Sequence, residues 1–271
     1  MWGRYLIEEI ENAEPGHNEV IAWFLGGAGI AVRSSESLIY VDPYFGGSPS
    51  REWLRMIAVP VDVTDIKVAT AILSTHEHTD HCHRETIVPV LAQTGAKFIG
   101  PASSAGRVRA WLASEKIKGN VIEVQPGDSL KVSTDMLLRV FEARDLYSEH
   151  AVTYLLETPG GSIFHSGDSS YFPGLKDIGD HYVVDLAFLC IGRNLRGRDD
   201  YMTPCDAVRA AIDLNAKVIV PLHFDMWKKT REDPKLVETI ARAWETNVSV
   251  IHLSLGDSLK LTRGVAQKSL F

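Results

Sequence analysis

Apolar residues in this chain come in short blocks of alternating or continuous character, each closed by glycine, proline or a polar run. Segments 20–25, 30–33 and 38–41 are β-branched or aromatic and are divided by Gly26-Gly27 and the polar stretch 34–37, which predicts an opening meander of strands. A fourth strand is predicted over 70–73. Helical spacing follows over 87–91, then a buried strand over 97–99 before Gly100-Pro101, a helix over 105–112 and a strand over 121–124. The second half repeats this style, with strands predicted over 130–132, 137–141 and 152–156 and a hairpin through Pro159-Gly160-Gly161 into 162–165. A continuous apolar strand is predicted over 185–191. Thr203-Pro204 with Asp206 has the form of an N-cap, a proline in the first turn and an early acid, opening a helix to about residue 214. Strand 217–220 ends at Pro221-Leu222-His223, Asp233-Pro234 opens a helix to about residue 244, and 248–253 and 258–261 close the chain as strands.

Two halves that each mix strands with strand–helix alternation predict an α/β fold. The architecture expected is an αββα sandwich of two mixed sheets face to face with outer helices, as a single domain over residues 1–271. In such a sandwich the strand-end loops gather along one edge, so ligands distant in sequence can converge there.

One of those loops changes the picture. Ser74-Thr75-His76-Glu77-His78-Thr79-Asp80-His81 follows directly on an apolar strand and sets three imidazoles and an aspartate within six residues. Neutral imidazole and ionised carboxylate hold zinc, manganese or iron, and neither core filling nor a solubilising surface calls for this pattern. In a turn leaving a strand, His76 and His78 point one way while Asp80 and His81 reach a neighbouring point, an arrangement suited to two adjacent metals. Two further fragments share the grammar of a strand ending in a potential ligand: Ser162-Ile163-Phe164-His165-Ser166-Gly167-Asp168 and Val218-Ile219-Val220-Pro221-Leu222-His223.

Composition narrows the classes. The 45% hydrophobic and 23% charged fractions are those of an ordinary globular protein, and a net charge of -7 disfavours nucleic-acid and anionic-membrane partners. Cys82, Cys190 and Cys205 form no CxxC pair, which argues against a zinc ribbon or disulfide framework and fits a reducing compartment. The amino-terminal segment does not read as a signal peptide and no stretch has the length of a membrane span, so a cytoplasmic location is expected. The oligomeric state, including homo-oligomerisation, is left open.

HxHxDH, then strand-Gly-Asp, then a strand ending in His, in this order, resembles the metallo-β-lactamase fold superfamily. Within it the chain is most similar to the L-ascorbate-6-phosphate lactonase family, through Ala22-Trp23-Phe24-Leu25-Gly26, Phe98-Ile99-Gly100-Pro101, Gln125-Pro126-Gly127-Asp128, Thr158-Pro159-Gly160-Gly161, His165-Ser166-Gly167-Asp168-Ser169, Leu214-Asn215-Ala216-Lys217-Val218 and Asp225-Met226-Trp227. The chain is shorter than those lactonases, lacking inserted loops in its first half. The resemblance implies His76 and His78 on a first metal, Asp80, His81 and His223 on a second, and Asp168 bridging. No histidine stands where the superfamily supplies a third terminal ligand to the first metal; Asp145 takes that place by resemblance to the lactonases, with His150 as the alternative. One or two divalent ions are implied, manganese or zinc, and the oxygen-rich donor set leans toward manganese.

The reaction this implies is metal-dependent hydrolysis: water deprotonated near neutral pH attacks a polarised carbonyl and the ring oxygen leaves. Asp80 both ligates and orients the attacking oxygen, and a protonated carboxylate or bound water serves the leaving alkoxide. The loop Gly192-Arg193-Asn194-Leu195-Arg196-Gly197-Arg198 supplies three guanidiniums able to clamp a phosphate or carboxylate, or else is simply an exposed basic loop. Asn194 and Arg196 also match the lactonase pattern, and Tyr171 is a candidate donor to substrate. The leading expectation is therefore a lactonase opening a phosphorylated or anionic sugar lactone. The alternatives are a phosphodiesterase of cyclic or linear diesters, or a non-catalytic metal-binding protein. His165 is expected to back the site or pack in the core, His83 to sit at a helix start or on the surface, and Asp42 to anchor the metal loop or serve the Asp-Pro turn. The tryptophans are expected to serve the core or an interface.

Overall fold

A computed structural model of the protein describes residues 3–194 and 198–268. Arg196, a candidate substrate-binding residue, lies outside the described residues.

The chain forms an αββα sandwich. The first sheet contains eight strands, β1 (Glu19–Gly26), β2 (Gly29–Arg33), β3 (Leu38–Val41), β4 (Ala71–Leu73), β5 (Lys97–Gly100), β6 (Asn120–Glu123), β14 (Ser258–Thr262) and β15 (Val265–Lys268), in the order β15-β14-β1-β2-β3-β4-β5-β6. The second holds β7 (Ser129–Lys131), β8 (Leu137–Glu142), β9 (Val152–Thr158), β10 (Gly161–His165), β11 (Leu186–Cys190), β12 (Val218–Leu222) and β13 (Ser249–Val250), ordered β13-β12-β11-β10-β9-β8-β7. Both are mixed. In the first, β3 to β6 run parallel and the rest antiparallel; in the second, β10 to β13 are parallel and β7 to β10 antiparallel.

Strand alternation builds three apolar layers. From β1, Val20, Ala22 and Phe24 join Phe188, Val220 and Tyr154 between the sheets. Trp23 and Leu25 point the opposite way, against α1 (Arg4–Asn12), α2 (Arg84–Thr94) and α3 (Ala102–Ser114). On the far side Ala187, Leu189 and Ile219 pack under α4 (Gly174–His181), α5 (Pro204–Asp213) and α6 (Lys235–Ala243). The Thr203 hydroxyl accepts from the Asp206 N–H while the Asp206 carboxylate takes the Thr203 N–H, so α5 opens with the cap its sequence predicts.

Three elements depart from expectation. Helices α1 and α4 were not expected; each is held by a few buried residues, Leu6, Ile7 and Ile10 in one and Leu175 and Ile178 in the other. The strand expected over 248–253 is only the two residues of β13. Near the end of the chain β14 returns to the first sheet and pairs antiparallel with β1, placing Val20 opposite Leu261. Among the described residues no helix is long and apolar enough to cross a membrane.

The carboxyl ends of four parallel strands meet at one edge of the sandwich. β4 runs into the His76–His81 loop, β10 into Asp168, β11 ends at Cys190 and β12 runs into His223. Open α/β sheets bind ligands at such ends.

Candidate metal centre

The loop after β4 is fixed from behind by Asp42, at the end of β3. Asp42 is fully buried; its Oδ1 accepts from the Thr75 N–H at 2.7 Å, and its Oδ2 from the Thr75 hydroxyl at 2.6 Å and His81 Nδ1 at 2.8 Å. With its proton given to Asp42, the Thr75 oxygen accepts from His76 Nδ1 at 3.0 Å. One carboxylate thus engages the Nδ1 side of His81 directly and of His76 through Thr75, and turns both Nε2 atoms toward the site, the arrangement metal-ligating histidines require. Of the two roles open for Asp42, anchoring is the one its contacts serve. Ser74 donates to the His81 carbonyl at 2.8 Å and Tyr154 to the Ser74 carbonyl at 2.7 Å, closing the loop against the core.

The sequence-predicted donors fall into two adjoining groups. His76 Nε2 lies 2.8 Å from His78 Nδ1, and Asp145 Oδ2 is 3.6 and 4.0 Å from these nitrogens. Beside them, His81 Nε2 lies 3.2 Å from Asp168 Oδ2 and 3.8 Å from Asp80 Oδ2, while His223 Nε2 is 3.3 Å from Asp80 Oδ2 and 3.6 Å from Asp168 Oδ2. The rings of His76 and His81, one from each group, have centroids 4.0 Å apart.

These residues fit divalent metals. Donors at ~2.0–2.2 Å from a tetrahedral ion lie about 3.3–3.6 Å from one another, the scale of the separations above. His81 Nε2 and Asp145 Oδ2 are buried, face the cluster and have no hydrogen-bond partner, a costly condition that a cation relieves. The electrostatics agree. Burial, then neighbouring His81, pushes His76 down to about 3, leaving a neutral ring with a free lone pair. Burial alone would raise Asp168, but His223 and His81 hold it well below the usual carboxylate range. Burial likewise opposes charge on His81, yet Asp168, Asp42 and Asp80 outweigh it and hold that imidazole well above its ordinary value. Asp145 is pushed up to about 6 by burial and by Asp168.

Other candidates stand elsewhere. His150 is exposed and lines a separate cleft with Gln125 and Glu149, so of the two alternatives only Asp145 joins the first group. Tyr171 was expected to reach substrate, but its hydroxyl donates to Asp213 at 2.6 Å and Arg209 covers its ring at 4.4 Å. This places it with α5, away from the cavity. The Asn194 amide is also committed: it exchanges two hydrogen bonds with the Tyr201 backbone, at 2.8 and 2.9 Å, and braces its loop instead of facing a ligand. His165 backs the site, bonding the Ala28 carbonyl and the Gly167 N–H. His83 stands at the N-cap of α2.

A cavity of about 460 Å³ opens over the donors, lined by His78, Asp80, Asp145 and Asp168 on its floor. Trp53, Tyr147, Tyr201 and Trp227 form its aromatic walls, and Arg193, Arg198 and Lys229 carry its positive charge. Trp227 Nε1 donates to Asp80 Oδ2 at 2.7 Å, and the Tyr201 ring lies 5.0 Å from that of His223. Sequence reasoning missed Trp227 and Tyr201 as site residues. The Asp225-Met226-Trp227 stretch after His223 was the available signal for Trp227; nothing local marks Tyr201.

The beta-lactamase superfamily domain model matches residues 38–224, which contain all the donors above. Probable L-ascorbate-6-phosphate lactonase UlaG of Escherichia coli is 31% identical over 288 aligned residues, covering 90% of this chain and 79% of that protein; the protein of the same name from Escherichia fergusonii matches equally. Among solved structures, the metallo hydrolase Igni18 of Ignicoccus hospitalis has a TM-score of 0.72 at 20% identity, covering 90% of this chain and 98% of that one. An isothiocyanate hydrolase from Delia radicum gut bacteria has a TM-score of 0.73 at 15% identity, covering 90% and 99%. Similarity at these identities establishes a shared fold.

Proposed function

The chain belongs to the beta-lactamase superfamily as a metal-dependent hydrolase, and from that premise we propose that it is a lactonase acting on an anionic sugar lactone. The observation that carries the substrate class is the pairing, in one cavity, of the donor cluster with Arg193, Arg198 and Lys229. Arg198 is engaged by Asp200 at 3.1 Å and lies over the Tyr147 ring. Arg193 and Lys229 pair with no carboxylate among the described residues, Lys229 resting only over the Trp53 ring at 5.1 Å, which leaves both charges to meet a phosphate or carboxylate on the substrate.

His76, His78 and Asp145 would hold one ion and Asp80, His81 and His223 the other, with Asp168 between them; zinc and manganese both suit this mixed nitrogen and oxygen set. Bound there, divalent ions lower the pKa of water and polarise a carbonyl oxygen. Asp80 stays ionised because His81 and His223 more than offset its burial, and Trp227 fixes its Oδ2. That oxygen is placed to orient an attacking water by accepting a hydrogen bond from it. Burial keeps the Tyr201 phenol protonated, so it remains a hydrogen-bond donor to a substrate oxygen. Trp53 and Trp227 give the body of the substrate an apolar face and exclude water.

The test compares phosphorylated and neutral sugar lactones on the metal-loaded protein and on Arg193→Ala and Lys229→Ala. Loss of one charge-assisted contact is worth roughly 1.5–3 kcal/mol, so KM for the anionic lactone should rise about ten- to a hundred-fold while the neutral one changes little. Equal effects on both substrates would remove the argument for an anionic lactone. Turnover of cyclic phosphodiesters without turnover of lactones would replace the reading with a phosphodiesterase.

A further inference from the structure

Asp168 presents two different oxygens to its surroundings. Oδ2 faces the donor cluster, 3.2 Å from His81 Nε2 and 3.6 Å from His223 Nε2. Oδ1 accepts from the Cys190 thiol at 3.5 Å, and no other donor reaches it among the described residues. The carboxylate is almost wholly buried, so water offers little help in holding Oδ1.

Cys190 is well placed to do so. It is fully buried at the carboxyl end of β11, one strand from Asp168 and one from His223. Its N–H donates to Ser166 Oγ at 2.8 Å, which fixes the backbone from which the thiol projects. Strand alternation puts it on the same face as Leu186 and Phe188, both in the layer between the sheets. An apolar residue would continue that stripe and leave Oδ1 buried without a donor. Gly167, at φ +53°, fixes where the Asp168 backbone turns but not the rotation of its carboxylate. Cysteine is the side chain here that closes the core and also supplies a proton, if a weakly donating one.

We propose that Cys190 is a positioning residue of the metal centre: its thiol holds Asp168 Oδ1 so that Oδ2 is presented to the ions between His81 and His223. This rests on reading the cluster as a metal site and is independent of the substrate. Although Cys190 lies close enough to Asp168 and His223 to share a metal with them, the sulfur acts in this proposal through Asp168 and not as a ligand.

Cobalt(II) titration of the chelator-stripped full chain, followed by visible absorption and chelator competition, tests the proposal on wild type, Cys190→Ala and Cys190→Ser. Cys190→Ala should weaken cobalt binding by about ten- to a hundred-fold, as expected when the partner that orients a ligand is removed. Cys190→Ser keeps a donor and should bind more tightly than Cys190→Ala. The wild-type spectrum should carry no thiolate-to-cobalt charge-transfer band. If circular dichroism finds Cys190→Ala unfolded without metal, Cys190→Val, close in volume and lacking the donor, takes its place. Wild-type affinity in the donor-less variant overturns the proposal, as does a serine variant no better than alanine, which would leave packing alone. A charge-transfer band lost in the variants overturns it too, by making the sulfur a ligand. A wild-type chain that binds no cobalt overturns the metal-centre reading itself, an outcome separate from any difference between variants.

Discussion

Replacing Asp42 by Asn tests the anchoring of the centre with the least change in shape. Asp42 has φ +47°, a left-handed conformation that asparagine tolerates far better than alanine, so the substitution leaves the backbone at ease. The hydrogen bonds do not survive equally. If the amide oxygen keeps the Thr75 N–H, the new NH₂ faces His81 Nδ1, 2.8 Å from Oδ2 in the native protein. His81 must then offer Nδ1 as an acceptor and carry its proton on Nε2, the atom aimed at Asp168. The flipped amide fares no better, because its NH₂ meets the Thr75 N–H. A hydrogen bond to a charged group contributes roughly 1.5–3 kcal/mol, about ten- to a hundred-fold in an equilibrium constant. That matches the usual effect of losing a ligand's orienting partner, so zinc affinity should fall about ten- to a hundred-fold. Calorimetric titration of zinc into the metal-free chain measures it, with circular dichroism to verify the fold. A folded Asp42→Asn chain with wild-type zinc affinity would refute the claim that Asp42 sets the His81 tautomer.

Three further outcomes follow from the same geometry. Asp80→Asn should reduce hydrolysis by about a hundred-fold or more with the fold intact, since a neutral amide is a poor ligand and a poor orienting acceptor; near-native turnover would place the chemistry elsewhere. Gly167→Ala puts a Cβ 2.8 Å from Thr75 Oγ1 at a backbone φ of +53°, so it should lower the unfolding free energy and loosen metal binding together, read by thermal unfolding with and without zinc. A strain of about 1–3 kcal/mol is expected, and an unchanged melting temperature would count against it. His81, its pKa raised well above the ordinary imidazole value, carries a proton at neutral pH in the metal-free chain, and zinc must displace that proton. Zinc affinity should therefore rise with pH, and the apparent binding enthalpy should vary with the ionisation enthalpy of the buffer; buffer-independent heats would contradict it.

Short-range pattern along the chain specifies most of the local order and the principal donors. His76, His78, Asp80 and His81 lie in one loop, and Asp168 and His223 each follow an apolar strand, so short-range patterning announces both the strand and the ligand at its end. The alternation within β1 likewise divides Val20, Ala22 and Phe24 from Trp23 and Leu25 before any partner is known. What depends on partners far along the chain had no local trace. The return of β14 to β1 is one such case, since a short apolar strand is compatible with either sheet. The choice of Asp145 over His150 is another: both sit in one polar loop, and only its path over the His76 loop sends one side chain inward and the other to a separate cleft. Tyr171 and Asn194 suited a substrate site by chemistry, but Asp213 and the Tyr201 backbone claim their polar groups. The donors from Trp227 to Asp80 and from Cys190 to Asp168 span 147 and 22 residues. Periodicity reports which face of an element is buried, whereas hydrogen bonds of this kind are decided by which strand ends the packed sheets bring together.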